Sequence, residues 1–246
     1  MVVLTYHRIP ARAGGSDFYA VDVNALATHL DVLCSHGYEP GCFDNISTGT
    51  GRSFVLTFDD ATIDHIETAA PLLESNNVRG IFFIPTAKLG KPGRLTRAQM
   101  TGLSQRGHEI GSHSHEHLRL DRMPQAEIRT QLENSRLIIA ETTGKQPRSF
   151  AAPGGYTNAD VRSVARECGM TIQRTMRWGV NKRLDPLNLE TVPVNAGMSA
   201  QMLGRILSGE RLLLWRLAYG TKETMKSLLP LSLYEQIRKT MTKRGN

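Results

Sequence analysis

Cysteine is scarce in this chain. The 246 residues hold three, Cys34, Cys42 and Cys168, odd in number and in no metal-type spacing, so neither a disulfide framework nor a thiolate zinc site is expected. Long apolar runs are missing as well, and nothing approaches the roughly eighteen residues that a membrane-spanning helix needs. The opening Met1-Val2-Val3-Leu4-Thr5-Tyr6-His7 lacks the basic start and small-residue cleavage site of a signal peptide and reads as a core strand, so the expected location is cytoplasmic. No Gly-x-Ser-x-Gly elbow is present to supply a serine nucleophile. Aromatic residues make up 6% of the chain without the stacking pattern of single-strand binders, so no nucleic acid is expected as a partner.

What is there fits one large globular domain: 40% of the residues are hydrophobic and 22% charged, enough to bury a substantial core. The net charge of +7 is unevenly placed. Nine Lys or Arg against three Glu fall between residues 199 and 246, which leaves about +1 for everything before them. A basic tail suits an anionic surface such as a bilayer, with which it would make peripheral contact.

Short apolar runs alternate with helix-like segments over the first two-thirds, the beat of parallel strands joined by crossover helices. Strands are expected at residues 2–6, 53–58, 79–85, 109–112, 149–152 and 170–175, and helices at 24–34, 63–75, 96–106, 124–143 and 159–167. Several of these helices end in a glycine suited to a left-handed cap. The repetition favours an α/β barrel over a layered sheet. After about residue 191 the beat stops, and residues 201–217 and 231–243 read as helices separated near Pro230. Leu203, Ile206, Leu207 and Trp215 lie there among Arg205, Arg211 and Arg216, so this segment either packs an apolar face on the barrel or lies on a membrane. The expected division is a barrel over 1–198 and a basic helical tail over 199–246.

Two clusters carry chemistry. The segment Phe54-Val55-Leu56-Thr57-Phe58-Asp59-Asp60 puts two carboxylates directly after an apolar strand, where an α/β barrel builds its active site. One acid can bind a metal while its neighbour stays free as a base; alternatively, the pair simply caps the next helix. The second cluster, His113-Ser114-His115-Glu116-His117, also closes a strand. Three imidazoles in five residues are hard to account for as packing, since crowded charged rings repel and buried ones need partners. A spacing of four puts His113 and His117 on one face of a helical turn, at metal-ligand distance. An aspartate with two histidines leaves positions open on a divalent cation, as catalytic sites do, and suits amide or ester hydrolysis.

These residues resemble the polysaccharide deacetylase family, the NodB-homology group that includes chitin and poly-N-acetylglucosamine deacetylases. Thr57-Phe58-Asp59-Asp60 is similar to its first motif and His113-Ser114-His115-Glu116-His117 to its second, over roughly residues 1–195. The resemblance implies a distorted (β/α)7-type barrel, Asp59 as general base, and Asp60, His113 and His117 as ligands of Zn2+ or a similar ion such as Co2+, Mn2+ or Ni2+. Phe150-Ala151-Ala152-Pro153-Gly154-Gly155-Tyr156 is similar to the family's third loop, which implies an oxyanion donor at the Gly154 N–H and substrate contacts from Pro153, Gly155 and Tyr156. Two residues depart from that pattern. Ala151 stands where the family has the arginine that orients the catalytic aspartate, leaving Arg174, Arg177 or no residue to replace it, and Gly154 stands for an aromatic residue. No histidine follows His117, so the family's late acid is absent; Tyr6-His7 matches the N-terminal Tyr-His of the poly-N-acetylglucosamine deacetylases, which implies His7 as general acid. Trp178 falls where the family places aromatics beside the sugar. The implied activity is removal of N-acetyl groups from an amino sugar in a polysaccharide, oligosaccharide or lipid-linked glycan. Two other readings of the same residues are an amidase acting on a non-sugar amide and an inactive saccharide-binding homologue.

Overall fold

A computed structural model describes residues 1–12, 17–43 and 52–210. Eight strands follow in order: β1 Val2–Tyr6, β2 Glu39–Pro40, β3 Ser53–Asp59, β4 Gly80–Ile84, β5 Glu109–Ser112, β6 Ser149–Ala151, β7 Ile172–Trp178 and β8 Leu189–Pro193. The helices are α1 Val23–Ser35, α2 Ala70–Ser75, α3 Arg97–Gln105, α4 Gln125–Thr143, α5 Ala159–Glu167 and α6 Ala200–Leu207, and a π-helical turn, His65–Ala69, leads into α2. The strand order β1-β8-β7-β6-β5-β4-β3, with β1 pairing back onto β3, closes a parallel barrel of seven strands, and the two-residue β2 adds only to the start of β3. The fold is the (β/α)7 barrel expected.

Registry sets what faces inward. Strand side chains alternate between the two faces, and in a closed barrel one face is the interior. Val3, Val55, Ile81, Phe83, Ala151, Ile172 and Leu189, drawn from six of the seven strands, form one buried cluster. One pleat further along β1, β3 and β8 come Thr5, Thr57 and Thr191, whose hydroxyls join at 2.9 and 2.7 Å. The next inward position after Thr57 is Asp59, and the next after Glu109 and Gly111 is His113. The columns thus run from apolar floor through a threonine layer to ionisable groups at the C-terminal ends. The opposite parity, Val2, Leu4, Tyr6, Phe54, Leu56, Phe58, Phe82 and Ile84, packs outward against Leu26, Leu30 and Leu33 of α1, Leu73 of α2 and Leu103 of α3. Both sides are apolar, which is why these strands read as continuous hydrophobic runs.

The closing strand β8 was not among the strands expected. Its sequence, Leu-Glu-Thr-Val-Pro, is short and carries a glutamate and a proline. It is held by position: Thr191 donates to Val3 O at 2.9 Å, and Val194 N donates to Thr5 O at 2.8 Å. At the C-terminal side, Ser199 caps α6 by accepting from Met202 N, and Leu203, Ile206 and Leu207 bury in the same cluster as α1. The expected helix 201–217 therefore begins as α6, while residues 211–246, with most of the basic tail, lie outside the described residues. Among the described residues, no helix is long and apolar enough to cross a membrane.

Several histidines outside the strand ends are structural. His29, 1% exposed, bonds to the Tyr6 hydroxyl at 3.1 Å and to Met198 O at 3.0 Å, tying β1, α1 and the entry to α6 together. His108 bonds to Glu74 at 2.8 Å and accepts from Gly80 N at 3.0 Å. Burial lowers the pKa of both, more than the Met198 carbonyl or Glu74 raises it. A depressed histidine binds its proton more readily once unfolded, so the stability it lends is complete above the unfolded value of about 6.5 and declines as pH falls below it. Melting temperature measured from pH 7.5 to 5 is expected to hold and then fall below about pH 6.5, with a shallower fall in His29→Gln; parallel curves for the two proteins would exclude His29 as a source of the slope.

Candidate active site

Asp59 is the last residue of β3, and the chain leaves the strand through two residues in the left-handed region, Asp60 at φ 78° and Ala61 at φ 53°. This sharp exit turns neighbouring carboxylates to different tasks. Asp59 stays in the barrel, 3% exposed, while Asp60 swings toward the loop after β5. A non-glycine residue there costs of order 1–3 kcal/mol and needs holding in place. The Arg94 guanidinium does so by donating to the Asp60 carbonyl, and Leu95 N donates to Ala61 O at 2.9 Å.

His113 continues β5 by one residue, donating its N–H to Ile84 O at 3.1 Å. Its Nδ1–H donates to Ala151 O at 2.7 Å, which fixes the tautomer and turns a bare Nε2 toward the aspartates. Burial pushes the imidazole down to about 4 against the opposing pull of Asp59, so it is neutral and has a lone pair to offer. The helical turn expected between His113 and His117 is not found. Residues 113–117 form a tight loop with Ser114 at φ 61° and His117 at φ 67°, because local side chains satisfy the backbone in place of helical bonds. Ser112 Oγ accepts from Ser114 N, Ser114 Oγ accepts from His117 N, both at 3.2 Å, and Gln131 of α4 brackets Glu116, accepting from its N–H and donating to its carboxylate. His115 turns away to Thr86 at 2.8 Å.

The loop nevertheless brings the ligand set together. One ligand atom from each of Asp60, His113 and His117 lies within 4.8 Å of the other two. Asp60 Oδ1 is 3.0 Å from His117 Nε2 and 3.6 Å from His113 Nε2. One carboxylate and two imidazole nitrogens facing a common point fit a divalent cation of the zinc type. Burial works to raise the Asp60 pKa, but the His117 hydrogen bond and the nearby His113 and His7 hold it below the usual carboxylate range.

Asp59 is set apart from that trio by a cation. Arg174 of β7, 1% exposed, donates from Nη2 to both Asp59 oxygens, while Asp59 Oδ2 stays 3.9 Å from His113 Nε2. Of the two arginines the sequence left open, Arg174 is therefore the one that reaches the aspartate. Arg177 is exposed on the opposite parity and lies 3.8 Å from Glu190. Arg174 is lodged over the Phe83 ring at 5.1 Å and bonds to the Met176 sulfur at 2.9 Å. Burial alone would raise Asp59, yet Arg174, then His113 and His7, keep its pKa lowered and the carboxylate ionised.

The remaining expected residues divide. His7 follows the Tyr6–Phe58 pair at the end of β1, near enough to Asp59 and Asp60 to lower both. Its ring packs on Tyr19 at 4.7 Å. Pro153–Gly155 is a 3-10 turn after β6, with Gly154 at φ 61° and Gly155 at φ 75°. A Cβ at Gly155 would sit 2.5 Å from Met176 Cβ, so no side chain fits between this turn and β7. Tyr156 carries the Arg119 guanidinium 3.7 Å over its ring, and Arg119 bonds to Asp121 at 2.8 and 3.0 Å, which couples the loops after β5 and β6. Trp178, the last residue of β7, is 5% exposed and belongs to the core cluster that holds Val192 and Val194, past a break in the β7–β8 register. The holding residues Arg94, Thr86 and Gln131 carried no sequence signal of their own.

A family profile described as polysaccharide deacetylase matches residues 47–173. Bacillus subtilis YxkH is 26% identical over 210 residues, 82% of this chain and 74% of its own length. Peptidoglycan-N-acetylglucosamine deacetylase PgdA of Listeria monocytogenes is 28% identical over 134 residues, which cover 54% of this chain and 26% of that protein. In fold, the chain superposes on Streptococcus pyogenes deacetylase PplD, solved in complex with acetate, with a TM-score of 0.75 at 20% identity, covering 84% of this chain and 97% of that one.

Arg174 is a buried cation with one anionic partner among the described residues, and removing it strands Asp59 in the barrel. Arg174→Met is expected to destabilise the fold by about 3–5 kcal/mol in denaturant titration, with much of the loss recovered by adding Asp59→Asn. Equal destabilisation in the single and double variants would show that the two side chains are not coupled.

Proposed function

The chain belongs to the polysaccharide deacetylase family, and from that premise we propose that it hydrolyses the N-acetyl group of an amino sugar in a polysaccharide, oligosaccharide or lipid-linked glycan, releasing acetate and a free amine. The observation that carries this reading is the separation of two adjacent carboxylates into two settings. Asp60 converges with His113 and His117 on one point, and Asp59 is kept ionised beside them by Arg174.

Asp60, His113 and His117 would hold a divalent cation such as Zn2+, a borderline ion that binds imidazole nitrogen and carboxylate oxygen alike. When bound, such an ion polarises the acetamide carbonyl and lowers the pKa of water. The chain's own groups do the rest. Asp59 takes a proton from the attacking water as its oxygen bonds to the carbonyl carbon. Because Arg174 occupies both Asp59 oxygens, the base is oriented and cannot rotate away from its task. The turn at Gly154 presents its backbone N–H to the developing charge on the carbonyl oxygen. His7 passes a proton to the amide nitrogen as the C–N bond breaks, so that the amine leaves neutral. The close approach of Gly155 to Met176 keeps the turn in contact with β7.

Acetate release from N-acetylglucosamine oligomers is expected to stop on chelation and return on adding Zn2+ or Co2+, and Asp59→Asn is expected to lower kcat by about a hundredfold or more. Release that chelator leaves untouched would contradict the proposal. Turnover of small non-sugar amides with none of the oligomers would move the substrate to that class.

A further inference from the structure

His7 differs from His113 in how it is held. His113 is oriented by a hydrogen bond from its own ring to Ala151 O, whereas His7 Nδ1 is buried with no hydrogen-bond partner among the described residues. A general acid needs a fixed position, and an imidazole normally gets it from a carboxylate or carbonyl on its second nitrogen. Among the described residues nothing of that kind sits on His7 Nδ1, which leaves its backbone and its packing on Tyr19 to place the ring.

The backbone is clamped from the π-helical turn. His65 Nε2 donates to the His7 carbonyl; Thr62 Oγ1, whose shorter contact is to Asp64 Oδ1 at 2.5 Å, lies 3.3 Å from the same carbonyl, and the Thr68 hydroxyl lies between the carbonyls of Ile9, two residues on, and Asp64, to which its one proton can be donated in turn. Three side chains at a spacing of three thus grip the exit of β1. His65 is fully buried, edge-on to Phe58 at 5.6 Å and tilted on Phe82 at 5.6 Å. Donation from Nε2 in a neutral ring leaves Nδ1 a bare acceptor, and Nδ1 is indeed buried without a partner. An unpaired acceptor between two phenyl rings is a standing cost that an apolar residue of the same shape would avoid, so packing alone does not explain a histidine here. The π turn itself is the rarer helical form, frequent at functional sites.

We propose that His65 is a positioning residue for His7: it holds the His7 carbonyl, with Thr62 beside it and Thr68 on the Ile9 carbonyl two residues on, so that the His7 imidazole stays beside the Asp59–Asp60 pair. The inference rests on the reading of His7 as the group that protonates the leaving amine. It makes His65 matter for the proton delivered to nitrogen and not for the attack of water.

Two substrates separate these steps. An N-acetylglucosamine oligomer must lose an amine that needs a proton, while 4-nitrophenyl acetate loses a nitrophenolate that does not. In His65→Phe, kcat on the oligomer is expected to fall about tenfold or more, with KM near that of the unaltered protein and ester turnover within about threefold. His65→Gln, which keeps a side-chain N–H donor, restores most of the amide rate. Thr68→Val moves the amide rate in the same direction more weakly, and it carries the test if His65→Phe does not fold. His7→Ala is the reference and should show the amide-specific loss in full. Loss of both substrates alike, or of neither, in the His65 and Thr68 variants while His7→Ala is amide-defective overturns the positioning role alone. An undiminished amide rate in His7→Ala overturns the acid assignment, and the positioning role with it.

Discussion

Seven strands closed on themselves leave one inward column per strand, and what fills the top of each column decides what this molecule can do. The lower levels must be filled for the barrel to stand, and here they are, with valine, isoleucine, phenylalanine and a hydroxyl layer of Thr5, Thr57 and Thr191. The upper level cannot be filled the same way, because Asp59 and Arg174 meet there with both side chains almost wholly out of water. Neither charge is tolerable alone. The pair therefore fixes the rotation of β3 against β7 across the barrel and leaves a carboxylate that is both ionised and immobile.

Around that pair, the chain accepts strained backbone where it needs direction. Among the described residues, four of the five non-glycine residues with positive φ, Asp60, Ala61, Ser114 and His117, lie in the two segments that supply the ligand set. Each is held by a specific partner: Arg94 on the Asp60 carbonyl, Leu95 N on the Ala61 carbonyl, and the Ser112 and Ser114 hydroxyls on the amides of Ser114 and His117, with Gln131 bracketing the intervening Glu116. Arg94 comes from the loop after β4 and Gln131 from α4, while the serines belong to β5 and to the histidine loop itself, so the site is fixed by its neighbours as well as by its own strands. Strain held this way preorganises the ligand set, and the structure around it bears the cost.

Much of this was legible in the residues. Apolar runs ending in Asp59-Asp60 and in His113 placed the chemistry at strand ends, and five strands and five helices fell close to their expected bounds. The loop between His113 and His117 was not legible, because a spacing of four is shared by a helical turn and by a chain folded over serine hydroxyls. Strand β8 escaped notice for a related reason: its pairing partners, and not its composition, make it a strand. The choice of Arg174 over Arg177 was within reach, since Arg174 shares the parity of the inward Ile172 and Arg177 does not, but only once β7 is known to run to Trp178. His65 gave no signal at all. Its role follows from a π turn that brings it against a carbonyl 58 residues away, and no local pattern encodes that meeting.

The account stands or falls on one point in space, the focus of Asp60, His113 and His117. Crystals grown with Zn2+ and measured on both sides of its absorption edge would locate the ion directly. One anomalous peak is expected about 2 Å from Asp60 Oδ1, His113 Nε2 and His117 Nε2, with Asp59 beside it but outside bonding distance. A peak on other residues, or full-occupancy protein with no peak at this focus, would contradict it.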